Sequence, residues 1–427
     1  MYYILTIVFS IIILIINNFL YKKKINLLNI FCGLWMIITF LAHLELFGMN
    51  HISELVYKIV FFGVFGFGSG YIISTYFRQL KKNKELDKRK IEKENIINEN
   101  LLKILISLTF LFYGVVSIRV FNMLLHGTSY AVIRSMYQGY YGYSSIFPNG
   151  LMKRIDTYIA HPFLYVLIPI TLISFFEKRM SKKWIILSIA DLILYLVCSA
   201  SRFLLLYFII ELAYCVYHYY KNMLKKNRRK IFRILLLLCV VIFTMTYVRS
   251  RTVSNGKYTI IQNLYAYFTV EFPLMEHWIS LIPTNTYGNG VSFFHGTIWL
   301  FSKILKFIGF PMTKYDIITS LVVQTEETFV KVFPWKSYNA FISMFYFFYL
   351  DFRFIGVYIG SMIFGFFCSN VDANMVIKDS YKSKVLFLLI LQNVFTSFVR
   401  WQFFNLNMVV SLVFIIVLFL PVKIKKR

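Results

Sequence analysis

Charge is scarce in this 427-residue chain: Asp, Glu, Lys and Arg make up 15% of it, whereas 59% is hydrophobic. A soluble domain carries nearer a quarter charged residues, so water is excluded as the main solvent. Acidic residues are scarcer still, 19 against 46 Lys and Arg. The chain also lacks a G-x-x-x-x-G-K-[ST] phosphate loop, an H-E-x-x-H zinc pair and a G-x-S-x-G nucleophile elbow. ATP-driven pumping, zinc proteolysis and serine hydrolysis thereby lose their usual signatures. The five cysteines, Cys32, Cys198, Cys215, Cys239 and Cys368, lie inside apolar runs, with no CxxC pair and no histidine at metal-ligand spacing. They read as core residues. No disulfide, metal or other cofactor is expected.

What is present is a succession of long apolar runs. A hydrocarbon core of about 30 Å needs roughly 20 apolar residues of helix. Such runs occur at about Tyr2 to Tyr21, Ile25 to Phe47, Leu55 to Phe77, Leu101 to Leu124, Tyr158 to Phe176, Trp184 to Ala200, Phe203 to Tyr220 and Ile231 to Val248. After a polar interval come Phe354 to Asn370, Val385 to Val399 and Leu406 to Leu420. The expected fold is a single all-α, polytopic membrane bundle, residues 1–427, with about eleven transmembrane helices. The first run is too long for a signal-peptide core and has no basic flank before it, so it reads as a retained span.

The net charge of +27 is gathered in short segments beside these runs. Lys22 to Lys24, Arg78 to Lys93, Lys178 to Lys183, Lys221 to Lys230, Lys378 to Lys384 and Lys423 to Arg427 all fall on one side if the N-terminus is outside. That matches the positive-inside rule, places the C-terminus in the cytoplasm and removes the need for a nucleic-acid partner. Residues 78–100 read as a charged cytoplasmic linker. Two outer loops remain, 126–156 and 249–337, and the larger is too long to lack helices of its own. Within it, Phe293 to Phe310 suits a helix lying in the interface, a twelfth span being the competing reading. Asn339 to Leu350 is a further apolar stretch, ended by Asp351, Phe352 and Arg353. Two full spans here would reverse the charge rule downstream, so it is expected to be a re-entrant or surface helix with sheltered ends.

Gly63, Gly66, Gly68 and Gly70 lie inside a span with no strand before them, so they suit close helix packing better than nucleotide binding. Charged groups near the outer ends of spans are costly and become functional candidates. These are Arg202, in Cys198-Ser-Ala-Ser-Arg202, and Arg249 with Arg251, where a span opens into the large loop. Arginine's fork of donors matches phosphate oxygens, although snorkelling at a span end would also account for Arg202. Arg134, Lys153 and Arg154 add to an outer cationic surface, and Tyr130, Tyr137, Tyr140, Tyr141 and Tyr143 crowd the smaller loop. Acid–base chemistry there would draw on Glu271, Glu276, His277, His295, Glu326 or Glu327; of these Glu276, His277 and His295 are taken as the candidate catalytic groups. Asp191 and Glu211 are the clearest mid-span ionisable residues. They would support the alternative of a flippase or secondary transporter if they line a path.

The stretch Tyr338-Asn-Ala-Phe-Ile-Ser-Met-Phe-Tyr-Phe-Phe-Tyr-Leu-Asp-Phe-Arg-Phe-Ile-Gly-Val357 resembles a pattern of the oligosaccharide repeat-unit polymerases, the Wzy-like O-antigen and capsule polymerases of bacterial surfaces. Asn339, Asp351, Phe352 and Gly356 stand at matching positions. Ser199-Ala-Ser-Arg202 is similar to that family's Ser-Arg turn, and Arg249 and Arg251 sit where its members often carry arginines. Arg353 stands where the pattern has Gly, and Phe203 follows Arg202 where Gly is common. The resemblance implies a membrane glycosyltransferase of the cytoplasmic (inner) membrane, acting on its outer face on undecaprenyl-diphosphate-linked oligosaccharide, without nucleotide sugar or metal. It implies phosphate contacts from Arg202, Arg249 and Arg251; Asn339 and Asp351, at matching positions, and Arg134, from the cationic surface of the smaller loop, are taken as further substrate-binding positions. Its partners would include a flippase and a chain-length regulator, and ligation to another acceptor is a related activity.

Overall fold

The computed structural model describes residues 1–20, 25–84, 97–139, 142, 144–201, 203–220, 260–309 and 311–420. The described chain is mostly helical. In order, the helices are α1 (Tyr2–Leu20), α2 (Leu27–His43), α3 (Glu54–Lys84), α4 (Glu99–Leu125), α5 (Tyr130–Gln138), α6 (Gly150–Ile155), α7 (His161–Glu177), α8 (Lys182–Ser199) and α9 (Phe203–Tyr220). Then follow α10 (Ile260–Thr269), α11 (Glu271–Ser280), α12 (His295–Phe307), α13 (Thr313–Glu327), a hairpin β1 (Val330–Phe333) and β2 (Lys336–Tyr338), α14 (Ser343–Lys378), α15 (Tyr381–Phe395) and α16 (Leu406–Leu418). A π-turn, Asp156–Ala160, joins α6 to α7.

Among the described residues, five helices are long and apolar enough to cross a membrane: Tyr2–Phe19, Glu54–Leu80, Glu99–Leu125, Gly150–Glu177 and Ser343–Lys378. α1 is rich in Ile, which favours strands in water. In hydrocarbon an unpaired strand would strand its backbone polar groups, so the same run is helical. α4 shows the solvent it is built for. Ile104, Leu108, Leu111, Val115 and Ile118 form one stripe, each more than half exposed, while Thr109, Tyr113 and Ser117 turn inward. An outward apolar stripe with polar groups inside suits lipid rather than water. Leu27–His43, Phe203–Tyr219 and Leu406–Leu418 are shorter apolar helices. The expected span Ile231 to Val248 lies outside the described residues.

The chain divides into two compact units: Met1–Ile91, Arg249–Ile377 and Asn393–Leu406 form the first, and Glu92–Val248, Lys378–Gln392 and Asn407–Arg427 the second. In the first, α3 packs on α14 through glycine. A Cβ at Gly70 would collide with the Met362 carbonyl, one at Gly66 with the Tyr358 carbonyl, and one at Gly365 with the Phe67 carbonyl. The packing role expected of Gly66 and Gly70 is what the backbones show, since only a missing side chain allows this approach. α3 continues past Arg78, whose guanidinium bonds Ser74 and Asn370 at 3.1 and 2.8 Å. The linker expected from residue 78 therefore begins as helix, and residues 85–96 lie outside the described residues.

In the second unit α7 carries Pro169, which has no N–H for the Tyr165 carbonyl. That carbonyl instead accepts from Gln392 Nε2 at 3.4 Å. Near the cytoplasmic ends expected from the charge pattern, Glu177 binds Lys384 at 2.7 Å and the Tyr219 hydroxyl at 2.6 Å.

Candidate functional site

Of the site positions expected from sequence, Glu276, His277, His295, Asn339 and Asp351 lie in the first unit, and Asp351 stands at a break in α14. Its first part, from Ser343 to Asp351, is about nine residues and rises only about 13 Å, too short to cross a bilayer. Phe352 (φ −145°, ψ 33°) and Arg353 (φ 53°, ψ −136°) then leave helical geometry before the helix resumes. The short helix begins later than Asn339 because residues 340–342 are drawn into loop contacts. Its entry is sheltered by protein: Ile342 and Ser343 N–H donate to the Val399 carbonyl at 3.0 and 3.2 Å, and Met344 N–H to Ser397 at 2.8 Å.

Asp351 holds the break to the loop before α12. Its carboxylate accepts from Ser292 N–H at 2.9 Å and Phe293 N–H at 2.8 Å, with Gly290 N–H adding a third bond. Gly288 N–H donates to the Leu350 carbonyl at 2.9 Å, and a Cβ at Gly288 would collide with the Asp351 carboxylate. The Arg353 backbone has the positive φ that favours glycine, the residue at this position in the pattern the stretch resembles. Arg353 compensates through its side chain. It donates to the Pro283 and Thr284 carbonyls at 2.9 and 3.2 Å and lies 5.1 and 5.2 Å from the Tyr287 and Tyr349 rings.

Asn339 donates through Nδ2 to the Glu326 carbonyl. The Glu326 carboxylate binds Arg400 at 2.6 Å, in a pair that is largely shielded on the arginine side. Arg400 was not singled out in the sequence. It follows the expected span Val385 to Val399 on the outer side, where the charge rule calls for no arginine, so the reasoning applied to Arg249 would have found it.

Of the candidate acid–base groups, Glu276 accepts from Ser53 N–H at 2.8 Å, which ties α11 to the turn before α3. His277 is half-buried beside Trp278. His295 is buried between the Tyr315 and Phe404 rings, at 4.5 and 3.7 Å. The Phe404 carbonyl can only accept, so Nδ1–H donates to it at 2.9 Å, leaving Nε2 against the Thr319 hydroxyl at 2.8 Å. Burial pushes the ring down to about 4, outweighing the Phe404 carbonyl and the charge of Glu326. Glu271 is fully buried, and desolvation holds its carboxyl well above the usual carboxylate range. Glu327 is exposed.

The second unit holds a polar network that the sequence reading did not assemble. Asp156, buried at the π-turn, accepts from the Tyr113 hydroxyl at 2.9 Å and from the Tyr137 hydroxyl at 3.0 and 2.9 Å. The Tyr195 hydroxyl meets the Ser199 and Tyr137 side chains and binds His161 Nε2 at 2.8 Å, and Asn407 Nδ2 donates to His161 Nδ1 at 3.1 Å. The Tyr113 and Tyr137 rings stand edge-on to Tyr195 at 5.4 and 6.0 Å. A π-turn inside a helix often marks a functional position, because it re-aims side chains. In the sequence Tyr137 is one of a crowd of tyrosines and Asp156 a loop boundary. An ionisable residue just before an outer span end was the available signal.

Arg134 is half-buried on α5. Arg202, Arg249 and Arg251 lie outside the described residues, as do Tyr140, Tyr141 and Tyr143. Ser199 ends α8, and Ala200 follows in a left-handed turn with φ 48°. Asp191 and Glu211 are not joined: Asp191 accepts from Thr109 on α4, and Glu211 from Gln392 on α15. Among the described residues no three His, Cys, Asp or Glu side chains gather as a metal site. No family model, curated protein or solved structure matches the chain.

Proposed function

We propose that this protein polymerises undecaprenyl-diphosphate-linked oligosaccharide repeat units into a surface polysaccharide, on the outer face of the bacterial cytoplasmic membrane. In this reading the chain crosses the bilayer about eleven times, with the N-terminus outside and the C-terminus inside. A growing glycan is transferred from its lipid diphosphate to a hydroxyl of the incoming repeat unit. Arg202, Arg249 and Arg251 bind the diphosphates and stabilise the leaving charge.

The observation that carries this reading is the broken helix. The positions that resemble the polymerase pattern each have a task there. Asn339 binds the carbonyl at the end of α13, Asp351 gathers the N–H groups of the loop before α12, Phe352 and Arg353 form the break, and Gly356 lies against the Phe348 carbonyl, where a Cβ would collide. A pattern whose residues serve one local structure is better support than scattered matches. The 13 residues of α12 rise only about 20 Å, and Phe301, Ile304, Phe307 and Ile308 are exposed, which favours an interfacial helix and keeps the outer loop on one side.

The test is reconstitution of the purified chain in liposomes with a native undecaprenyl-linked repeat unit. A ladder of longer glycans, formed without ATP or nucleotide sugar, is the expected result. Protein-dependent movement of the substrate between leaflets, without elongation, would replace polymerase by flippase. Arg202→Ala and Arg249→Ala are expected to abolish the ladder while the protein stays inserted.

A further inference from the structure

We propose that Asp156 is the group that takes the proton from the acceptor hydroxyl, a role that rests on the polymerase reading above. Three observations lead to it. The carboxylate is buried at a π-turn, and its partners are hydroxyl groups: Tyr113 from α4 and Tyr137 from α5, at 2.9 to 3.0 Å. A general base must meet the hydroxyl it deprotonates at about 2.6 to 3.2 Å, which is the geometry Tyr137 already occupies. Tyr137 belongs to the smaller loop, and its hydroxyl, bonded to both carboxylate oxygens, marks where a sugar hydroxyl would stand.

The surroundings fit a polyhydroxyl ligand. Tyr195, His161 and Asn407 continue from the carboxylate as a row of donors and acceptors, and the tyrosine rings offer the apolar faces on which sugars rest. Ser199 touches this row, and it opens the Ser199-Ala-Ser-Arg202 turn that the proposed function gives to the diphosphate.

The step balances without a co-reactant. The acceptor oxygen forms a bond to the anomeric carbon, and the bond from that carbon to the diphosphate oxygen breaks, its electron pair leaving on the diphosphate. The hydroxyl proton passes to Asp156, which releases it to the outer medium before the next cycle. Tyr113 is a positioning residue that holds the carboxylate.

The experiment uses the full chain in liposomes with the undecaprenyl-linked repeat unit, comparing wild type with Asp156→Asn, Asp156→Glu, Tyr113→Phe and Tyr137→Phe. Elongation by Asp156→Asn is expected to fall about 100-fold or more, with binding of the lipid-linked unit kept. Each tyrosine variant should stay within about 10-fold of wild type, because the base remains. The wild-type rate should rise with pH along a one-proton limb, and that limb should move in Asp156→Glu.

Elongation by Asp156→Asn near the wild-type rate, with wild type active, overturns the role of Asp156 and leaves the polymerase reading standing. Equal loss in Tyr113→Phe and Asp156→Asn, both with lowered melting temperatures, also overturns it by making the network a structural one. If Asp156→Asn does not insert, the pH profile of Asp156→Glu decides, an unmoved limb counting against the proposal. An inert wild type that still binds the lipid-linked unit overturns the polymerase reading and this role together.

Discussion

Each unit holds a buried aspartate at an interruption of a helix, and the two are satisfied in opposite ways. Asp351 in the first unit is answered by backbone N–H groups of the loop before α12, and Asp156 in the second by tyrosine hydroxyls. Backbone donors cannot turn away without unmaking the loop, so Asp351 is a pin. Side-chain donors are not part of a loop's backbone, so under the role proposed above a substrate hydroxyl takes the place of Tyr137 on Asp156. On the role proposed above, the kind of donor separates a carboxylate that holds the structure together from one available for chemistry, although both are buried.

The largest expected effect tests the pin. Asp351→Ala leaves the N–H groups of Gly290, Ser292 and Phe293 without their acceptor and should cost about 4 kcal/mol, read as a large drop in melting temperature in detergent. A small drop would remove the structural half of the comparison.

His295, also in the first unit, should make stability depend on pH. Its folded pKa of about 4 lies below the unfolded value near 6.5, so between these the unfolded chain binds more protons. Stability is full above about pH 6.5 and is lost as pH falls towards 4, by about 3 kcal/mol. His295→Phe should flatten that part of the melting curve against pH.

Gly70→Ala places a methyl group against the Met362 carbonyl and should cost about 2 kcal/mol as α3 and α14 part. Asp156→Asn, by contrast, keeps an oxygen that accepts from tyrosine and gains an amide that donates to one, so its stability should change by no more than about 1 kcal/mol. The melting temperature shared with wild type then separates the second unit from the first. The smallest change is Arg353→Gly: relief of a left-handed backbone, about 1 kcal/mol, nearly cancels the loss of two carbonyl bonds and two ring contacts. A net shift beyond about 1 kcal/mol in either direction would show which of the two dominates.

Much of the architecture was legible because hydrophobic length is a local property. The runs at Tyr2, Leu101 and Tyr158 became helices within a few residues of the expected bounds at most ends, and the large polar interval contains helices, as its length required. The hairpin at Val330 to Tyr338 was missed. Its strands are short and turn about Pro334 and Trp335, with a register shift between Lys331 and Phe333, so little alternation was left to read. The break at Asp351 was visible as an interruption of the apolar run, while the positive φ at Arg353 was not, because arginine carries no turn signal.

The sequence by itself determined the solvent, the helical class and the positions where charge is costly, since these follow from composition along the chain and the need to pair every backbone group in lipid. The tertiary structure decided which of those costly groups meet. Tyr113, Tyr137, Asp156, His161, Tyr195 and Asn407 come from five separate segments, and only packing brings their hydroxyls, ring nitrogens and amide within hydrogen-bonding distance. Hydrogen bonds reach about 3 Å, and a pattern along the chain carries no information on that scale between residues almost three hundred positions apart.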